Sequence, residues 1–412
     1  MGLGIVDFYA LLVVIASFGV FRLCGGALNF FNPAALFFLF HLVLLGVGSW
    51  YRGLYAGVVW VSDGLVFIVY TSLLLYSLGC LCVTLILRER FNRVAKYCCL
   101  VESYSRPWPM HSVFRLGIVL VPAAIALGYS LHVGGVVWNQ SEIDDLRVEV
   151  RKGVGWIALL GIASAFVGVL LYVFSRKTIG WLEAILVLLL FSVCASAYGN
   201  RAPAADVFLA GFFSVLFVKY KRVPILPMAI AGSGLFLLVM AAGLYRQGFD
   251  LSVDGVLLQV LWRPFVNFQN FQLIYDAFPQ KIPYQYGNGY LIDLAVLMPG
   301  YQPNYSTWLK DALGLTFTGG GVNQTYLGEF YSNFSLLPAL CISFFLGAAF
   351  QLCYIALRSA AAGPHIMLIV AFSLKGMVSS GLVSPLMYYL LPLCFVYFLY
   401  TQRLFGVLLA KA

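Results

Sequence analysis

The segment TGGGVNQTYLGEFYSNFSLLP, Thr318–Pro338, opens onto a long apolar run, yet it carries three consecutive glycines, Tyr326, Glu329 and Asn333. On a helix Tyr326, Glu329 and Asn333 stand at i, i+3 and i+7 and share one face. Leu327, Phe330, Phe334 and Leu337 form the opposite, lipid-compatible face. The pattern predicts a membrane helix over residues 327–357 whose entrance holds a carboxylate and two hydrogen-bonding side chains. Crossing a bilayer takes about 20 residues at about 1.5 Å rise each, and this run suffices.

The rest of the chain has the same character. Of its 412 residues 62% are hydrophobic and only 10% are charged, a balance that excludes an ordinary soluble globular protein. The alternating pattern of a membrane β-barrel is absent. The expected fold is an all-α polytopic integral membrane protein of about eleven spans. They lie at roughly 3–21, 33–51, 64–87, 117–134, 154–175, 181–198, 204–219, 225–244, 327–357, 366–383 and 386–402. The first run has no basic leader, contains Asp7 and is followed by Arg22, so it reads as an uncleaved first span with its N-terminus outside.

Charge sets the sidedness. The net charge of +9 follows the loops of one side, which argues for a membrane orientation and against nucleic acid. The basic loop 88–116, with Arg88, Arg90, Arg93, Lys96, Arg106 and Arg115, is expected in the cytoplasm. Acidic residues, among them Asp250, Asp254, Asp276, Asp293 and Asp311, then fall outside. Three regions result: residues 1–244 with spans one to eight, a large external loop at 245–326, and the last three spans at 327–412. Ordinary connections are short. This loop is long and rich in aromatic residues, so it is expected to fold as a cap with interfacial helices.

Ionisable groups at membrane depth are costly and mark function by default. Lys375 in IVAFSLKGMVSS sits within the tenth span; its bland reading is a lysine snorkelling to the interface. Arg201, in YGNRAPAAD, has Asp206 as its available structural partner. Arg246 and Arg263 begin the large loop, where headgroup contact is the plain alternative, and Arg263 precedes Pro264, which restrains its backbone. Together these four cations suit a pyrophosphate, whose oxygens match paired guanidinium donors. Glu329 reads either as a carboxylate stabilised at a helix N-terminus or as a functional group, a base or an acceptor for a hydroxyl. The helix field keeps it ionised in both cases. Glycines 319–321 read as a close-packed turn.

Other chemistries find no support. There is no Walker loop for ATP, no acyl-hydrolase elbow, and no zinc-type spacing among four scattered histidines. The cysteines lie in or beside spans or in the basic loop, with none between Arg246 and Glu329, so neither a disulfide framework nor a metal site is expected.

The run GGGVNQTYLGEFYSNFSLLPALCISFFLG resembles the signature of bacterial O-antigen and oligosaccharide repeat-unit polymerases, the Wzy type. The late large loop, the GNRA arginine, the Arg263 region and a basic residue in the penultimate span are similar to that family too. Ser335 stands where the family commonly has glycine after NF, and position 375 is lysine where arginine is common. The resemblance implies a fold related to GT-C-type membrane glycosyltransferases in a bacterial inner membrane, with the large loop in the periplasm. It implies transfer of a glycan from undecaprenyl pyrophosphate to a sugar hydroxyl of the next lipid-linked unit, without metal or nucleotide. Glu329 would be catalytic. Arg201, Arg246, Arg263, Lys375, Tyr326 and Asn333 would bind substrate. Membrane lipids and a chain-length regulator are the further expected partners. An O-antigen ligase and a lipid-linked oligosaccharide flippase are the alternatives.

Overall fold

The computed structural model describes residues 4–24, 32–50, 62–87, 112–133, 154–176, 178–199, 201–220, 234, 253–298, 300, 302–317, 321–357, 373 and 375–386. Among these residues the chain is helical and contains no β-strand. Among the described residues five helices are long and apolar enough to cross a membrane: Ile5–Leu23, Asp63–Ile86, Arg115–Val133, Gly155–Val173 and Leu336–Ile355. Apart from residues 234 and 386, the expected spans at 225–244 and 386–402 lie outside the described residues, as do 366–372 and 374 of the expected span at 366–383, most of the basic loop, and Arg246.

One bundle is built from α1 (Ile5–Leu23), α2 (Pro33–His41), α3 (Val47–Trp50) and α4 (Asp63–Ile86). Asn32 caps α2, its Oδ1 accepting from Ala34 N at 2.9 Å with Pro33 at the first helical position. Ser62 caps α4 by accepting from Leu65 N at 3.2 Å. Between α2 and α3 the helix widens into a π turn at Leu42–Gly46. Carbonyls released by such a turn need other donors. Tyr70 donates to Gly46 O at 3.2 Å and Asn267 to Leu44 O at 3.1 Å.

A second bundle comprises α5 (Ser112–Val133), α6 (Gly155–Phe174), α7 (Trp181–Ser196) and α8 (Arg201–Tyr220), packed around Phe166, Leu170, Leu188 and Phe191. Its α7 turns Leu182, Leu186, Leu189 and Val193 outward. Such a row is unfavourable in water and costs nothing against lipid tails.

The expected external loop is strongly helical where it is described. It contains α9 (Val253–Ala277), α10 (Asn288–Ala295) and α11 (Tyr305–Ala312). The helix continues through Pro264, so Arg263 is helical and the extended bias before proline is overridden by packing. α9 drives Phe268, Phe271 and Ile274 into the first core, all at 0% exposure, and buries Phe265 as fully. Gln272 Oε1 accepts from both Ser62 N (3.1 Å) and Ser62 Oγ (3.2 Å), fastening α9 to the start of α4.

The expected single helix at 327–357 is two helices. α12 (Thr325–Phe334) and α13 (Leu336–Leu357) are separated at Ser335, which has φ 84° and ψ −177°. The polar stripe therefore belongs to a ten-residue helix in front of the span. α13 packs back to back with α4. Gly79 and Gly347 permit this: a Cβ on either would lie about 2 Å from a carbonyl oxygen of the facing helix.

Candidate functional site

The expected lipid-facing side of α12 is not one. Leu327 is fully buried in the first core, and Phe330 and Phe334 are half-buried beside Tyr290. Only Leu337, on α13, is strongly exposed. α12 is enclosed by α9, α10 and α13, and its three polar residues fan out to three different places.

Tyr326 points into the helix core. Its hydroxyl meets His41 Nδ1 at 2.9 Å and Ser343 Oγ at 3.3 Å, and its ring packs edge-on against Phe37. It joins α2 to α13 and takes no part in a shared polar groove. Asn333 points the other way. Its Oδ1 accepts from Gly287 N and Gly289 N, both at 3.1 Å, and its Nδ2 donates to Glu329 O at 2.8 Å. Two backbone bonds reinforce the joint, Gln285 N to Ser332 O at 2.9 Å and Tyr286 N to Asn333 O at 2.8 Å. The start of α10 is thereby fixed to the end of α12.

Glu329 lies between them with 0% exposure. Its Oε2 accepts from the amide of Leu382, and the turn that presents this amide contains Gly381 at φ 97°. A Cβ at Gly381 would stand 2.7 Å from Glu329 Oε2 and 2.9 Å from Gln324 Nε2. Glu329 Oε1 has no hydrogen-bond partner, and neither does the neighbouring Gln324 Oε1, on a side chain only 1% exposed.

A second carboxyl is close by. Asp293 on α10 is 4% exposed; its Oδ1 accepts from Tyr305 N at 2.8 Å and its Oδ2 is unpartnered. Tyr305 in turn donates to Ser332 Oγ at 2.9 Å, and that hydroxyl donates to Glu329 O at 3.1 Å. The hydroxyl of Tyr290, one turn before Asp293 on α10, is also buried and unpartnered.

Electrostatics reverse the expectation for Glu329. It sits mid-helix, beyond the reach of the helix terminus, and burial pushes its carboxyl up to about 8. The Leu382 and Val383 amides oppose that rise and the charge of Asp293 adds to it. Burial also raises Asp293 to about 6, against the pull of the Tyr305 amide. Among the described residues neither carboxyl has an ion-pair partner.

The cations are distributed differently. Lys375 pairs with Asp206, the residue available to Arg201 on sequence grounds. This pair ties α8 of the second bundle to residues 375–380, whose Met377 and Val378 lie in the first core. Arg201 begins α8 and Arg263 lies within α9, with their side chains outside the described residues. Gly321 makes the predicted close approach: a Cβ there would stand 2.4 Å from Ser306 backbone atoms.

Sequence reasoning found Glu329 and Asn333 but missed Asp293, Gln324, Tyr290 and Gly381. The available signal for Asp293 was a lone carboxylate inside the apolar run YLIDLAVL, four residues after Gly289 on the same helical face. No group of three or more histidine, cysteine or acidic residues that could hold a metal occurs among the described residues. No family model matches the chain, and neither does any curated protein or solved structure.

Proposed function

We propose that the protein is a membrane glycosyltransferase that polymerises lipid-linked oligosaccharide repeat units, of the Wzy type. In this reading the acceptor sugar's hydroxyl oxygen attacks the anomeric carbon of a glycan carried on undecaprenyl pyrophosphate. The bond from that carbon to the pyrophosphate oxygen breaks, the pyrophosphate keeps the electron pair, and the hydroxyl proton passes to Glu329. The observation that carries the proposal is the Glu329 carboxyl: one oxygen is fixed by the Leu382 amide and the other is unpartnered, in a buried site beside apolar membrane-length helices. A base whose pKa lies near the working pH combines adequate basicity with a useful ionised fraction.

The resemblance of the 319–347 run to repeat-unit polymerases supports the same reading, as do the cations Arg201, Arg246 and Arg263 for the departing pyrophosphate. Lys375 contributes less, because Asp206 offsets its charge. The proposed setting is a bacterial inner membrane with about eleven spans, a GT-C-like arrangement, and the 245–326 region on the periplasmic side. The carboxyl is enclosed as it stands, so acceptor entry requires displacement of α10 or of the 381–383 turn. The deciding experiment incubates purified protein with a synthetic undecaprenyl-pyrophosphate repeat unit. Wild type is expected to build a glycan ladder and Glu329→Gln to build none while remaining folded. A normal ladder from Glu329→Gln overturns the assignment.

A further inference from the structure

Two acidic side chains without a counter-cation among the described residues are an unusual thing to bury. Glu329 and Asp293 come from different helices, which Asn333 ties together, are close enough for the charge of one to raise the other, and each keeps one oxygen unpartnered. A pair of acids alone would be only a cluster. Here Gln324, 1% exposed, adds an unpartnered amide oxygen beside Glu329, and Tyr290 adds an unpartnered hydroxyl on α10. Four hydrogen-bonding atoms, from α10, α12 and the residue that caps α12, thus lack partners around Glu329; at neutral pH the Asp293 and Gln324 oxygens only accept, while the raised Glu329 carboxyl and the Tyr290 hydroxyl also donate. The complementary ligand brings several donors and no negative charge.

We propose that Asp293, Glu329, Gln324 and Tyr290 form the acceptor-sugar subsite, and that it takes a neutral or amino sugar and rejects an acidic one such as a uronic acid. Sugar hydroxyls exchange hydrogen bonds with all four groups, and ammonium or amide N–H groups donate to Asp293 and Gln324. A second carboxylate placed among them meets like charge in a site screened from water, where repulsion at about 5 Å remains strong. Asp293 carries the discrimination through charge. The pair retains negative charge at neutral pH, since Asp293 ionises at about 6.

The inference deepens the polymerase reading and rests on it. The test uses purified full-length protein and synthetic lipid-linked acceptor units that differ only in the terminal sugar: a neutral hexose, its amino counterpart, or its uronic acid. Wild type is expected to elongate the neutral and amino units at least about tenfold faster in kcat/KM than the uronic acid. Asp293→Asn, which keeps an oxygen for the Tyr305 amide, is expected to narrow that ratio to about threefold or less, and Asp293→Glu to restore it. Equal use of all three units by wild type, or an unchanged ratio in Asp293→Asn, overturns the inference and leaves the polymerase reading standing. If no unit is elongated the polymerase reading falls, and equilibrium binding then decides the subsite by itself. Methyl glucoside is expected to bind at least about tenfold more tightly than methyl glucuronide; equal affinity overturns the inference.

Discussion

The amide of Leu382 donates to the carboxylate of Glu329, a residue 53 positions earlier in the chain. This contact joins the turn before Pro385 to the middle of α12 and sets the orientation of the carboxyl. Burial of that carboxyl, which the Leu382 amide only partly offsets, makes folding and protonation of Glu329 interdependent.

Stability is expected to depend on pH through that coupling. A carboxyl raised to about 8 in the folded protein binds a proton that the unfolded chain releases near pH 4.5. Folding is therefore favoured by protonation below about 4.5, and this contribution is lost as pH rises to about 8. Asp293, raised to about 6, adds a loss between its ordinary value and pH 6. Thermal unfolding in detergent should show the melting temperature falling from pH 5 to pH 8, with a shallower slope in Glu329→Gln. Parallel slopes would mean that Glu329 is ionised throughout.

Sidedness is tested directly at Gln280, which is exposed beyond the end of α9. A cysteine placed there, with native cysteines replaced as needed, should react with an impermeant thiol reagent in intact spheroplasts. Labelling only after lysis would place the 245–326 region in the cytoplasm and remove the periplasmic reading.

Ser335 occupies a conformation, φ 84° and ψ −177°, that is essentially reserved for glycine. Strain of this kind costs about 1–3 kcal/mol. Ser335→Gly should therefore raise stability by about that order at most, less the extra entropy of an unfolded glycine. Ser335→Val should lower it. Melting curves of the two variants give the sign.

Asn333→Ala removes the acceptor for two α10 amides and a donor to the Glu329 carbonyl. Leaving buried donors unpaired costs about 1–3 kcal/mol each. Hydrogen exchange at residues 287–295 should accelerate well before the membrane helices are affected. Unchanged protection there would show that the backbone bonds from Gln285 and Tyr286 suffice.

The helices were legible because apolar length is a local property: the residues of α1, α4, α6 and α8 announce themselves. The polar stripe of α12 was legible too, but its meaning was not. Periodicity places Tyr326, Glu329 and Asn333 on one face, and a fan of about 60° on that face sends them to α13, to Leu382 and to α10. Which partner waits at each direction depends on contacts between distant segments. The break at Ser335 was hidden for a different reason. Serine gives no local signal of positive φ, and the apolar residues on both sides read as one continuous helix. The raised carboxyl of Glu329 was hidden as well, because it comes from burial among segments distant in the chain.

Gly381 offers the sharpest test of how the carboxyl is held. Its φ of 97° is one that residues with a side chain adopt only under strain. Space is equally restrictive, because an added Cβ would lie 2.7 Å from Glu329 Oε2 and 3.1 Å from its carboxyl carbon. Gly381→Ala therefore has two ways to relax: the turn rotates and withdraws the Leu382 amide, or the Glu329 side chain leaves it. Either way the carboxyl loses its fixed donor while both helices keep their packing. On the proposed function, polymerisation should fall by about 100-fold or more, as expected when a base is displaced from its working geometry. The protein should still insert and melt cooperatively, with stability reduced by about 1–3 kcal/mol. The checks are a melting curve and turnover of the same purified sample on the lipid-linked repeat unit. Full activity in a folded Gly381→Ala protein would show that the Leu382 contact is dispensable and that Glu329 works from another orientation.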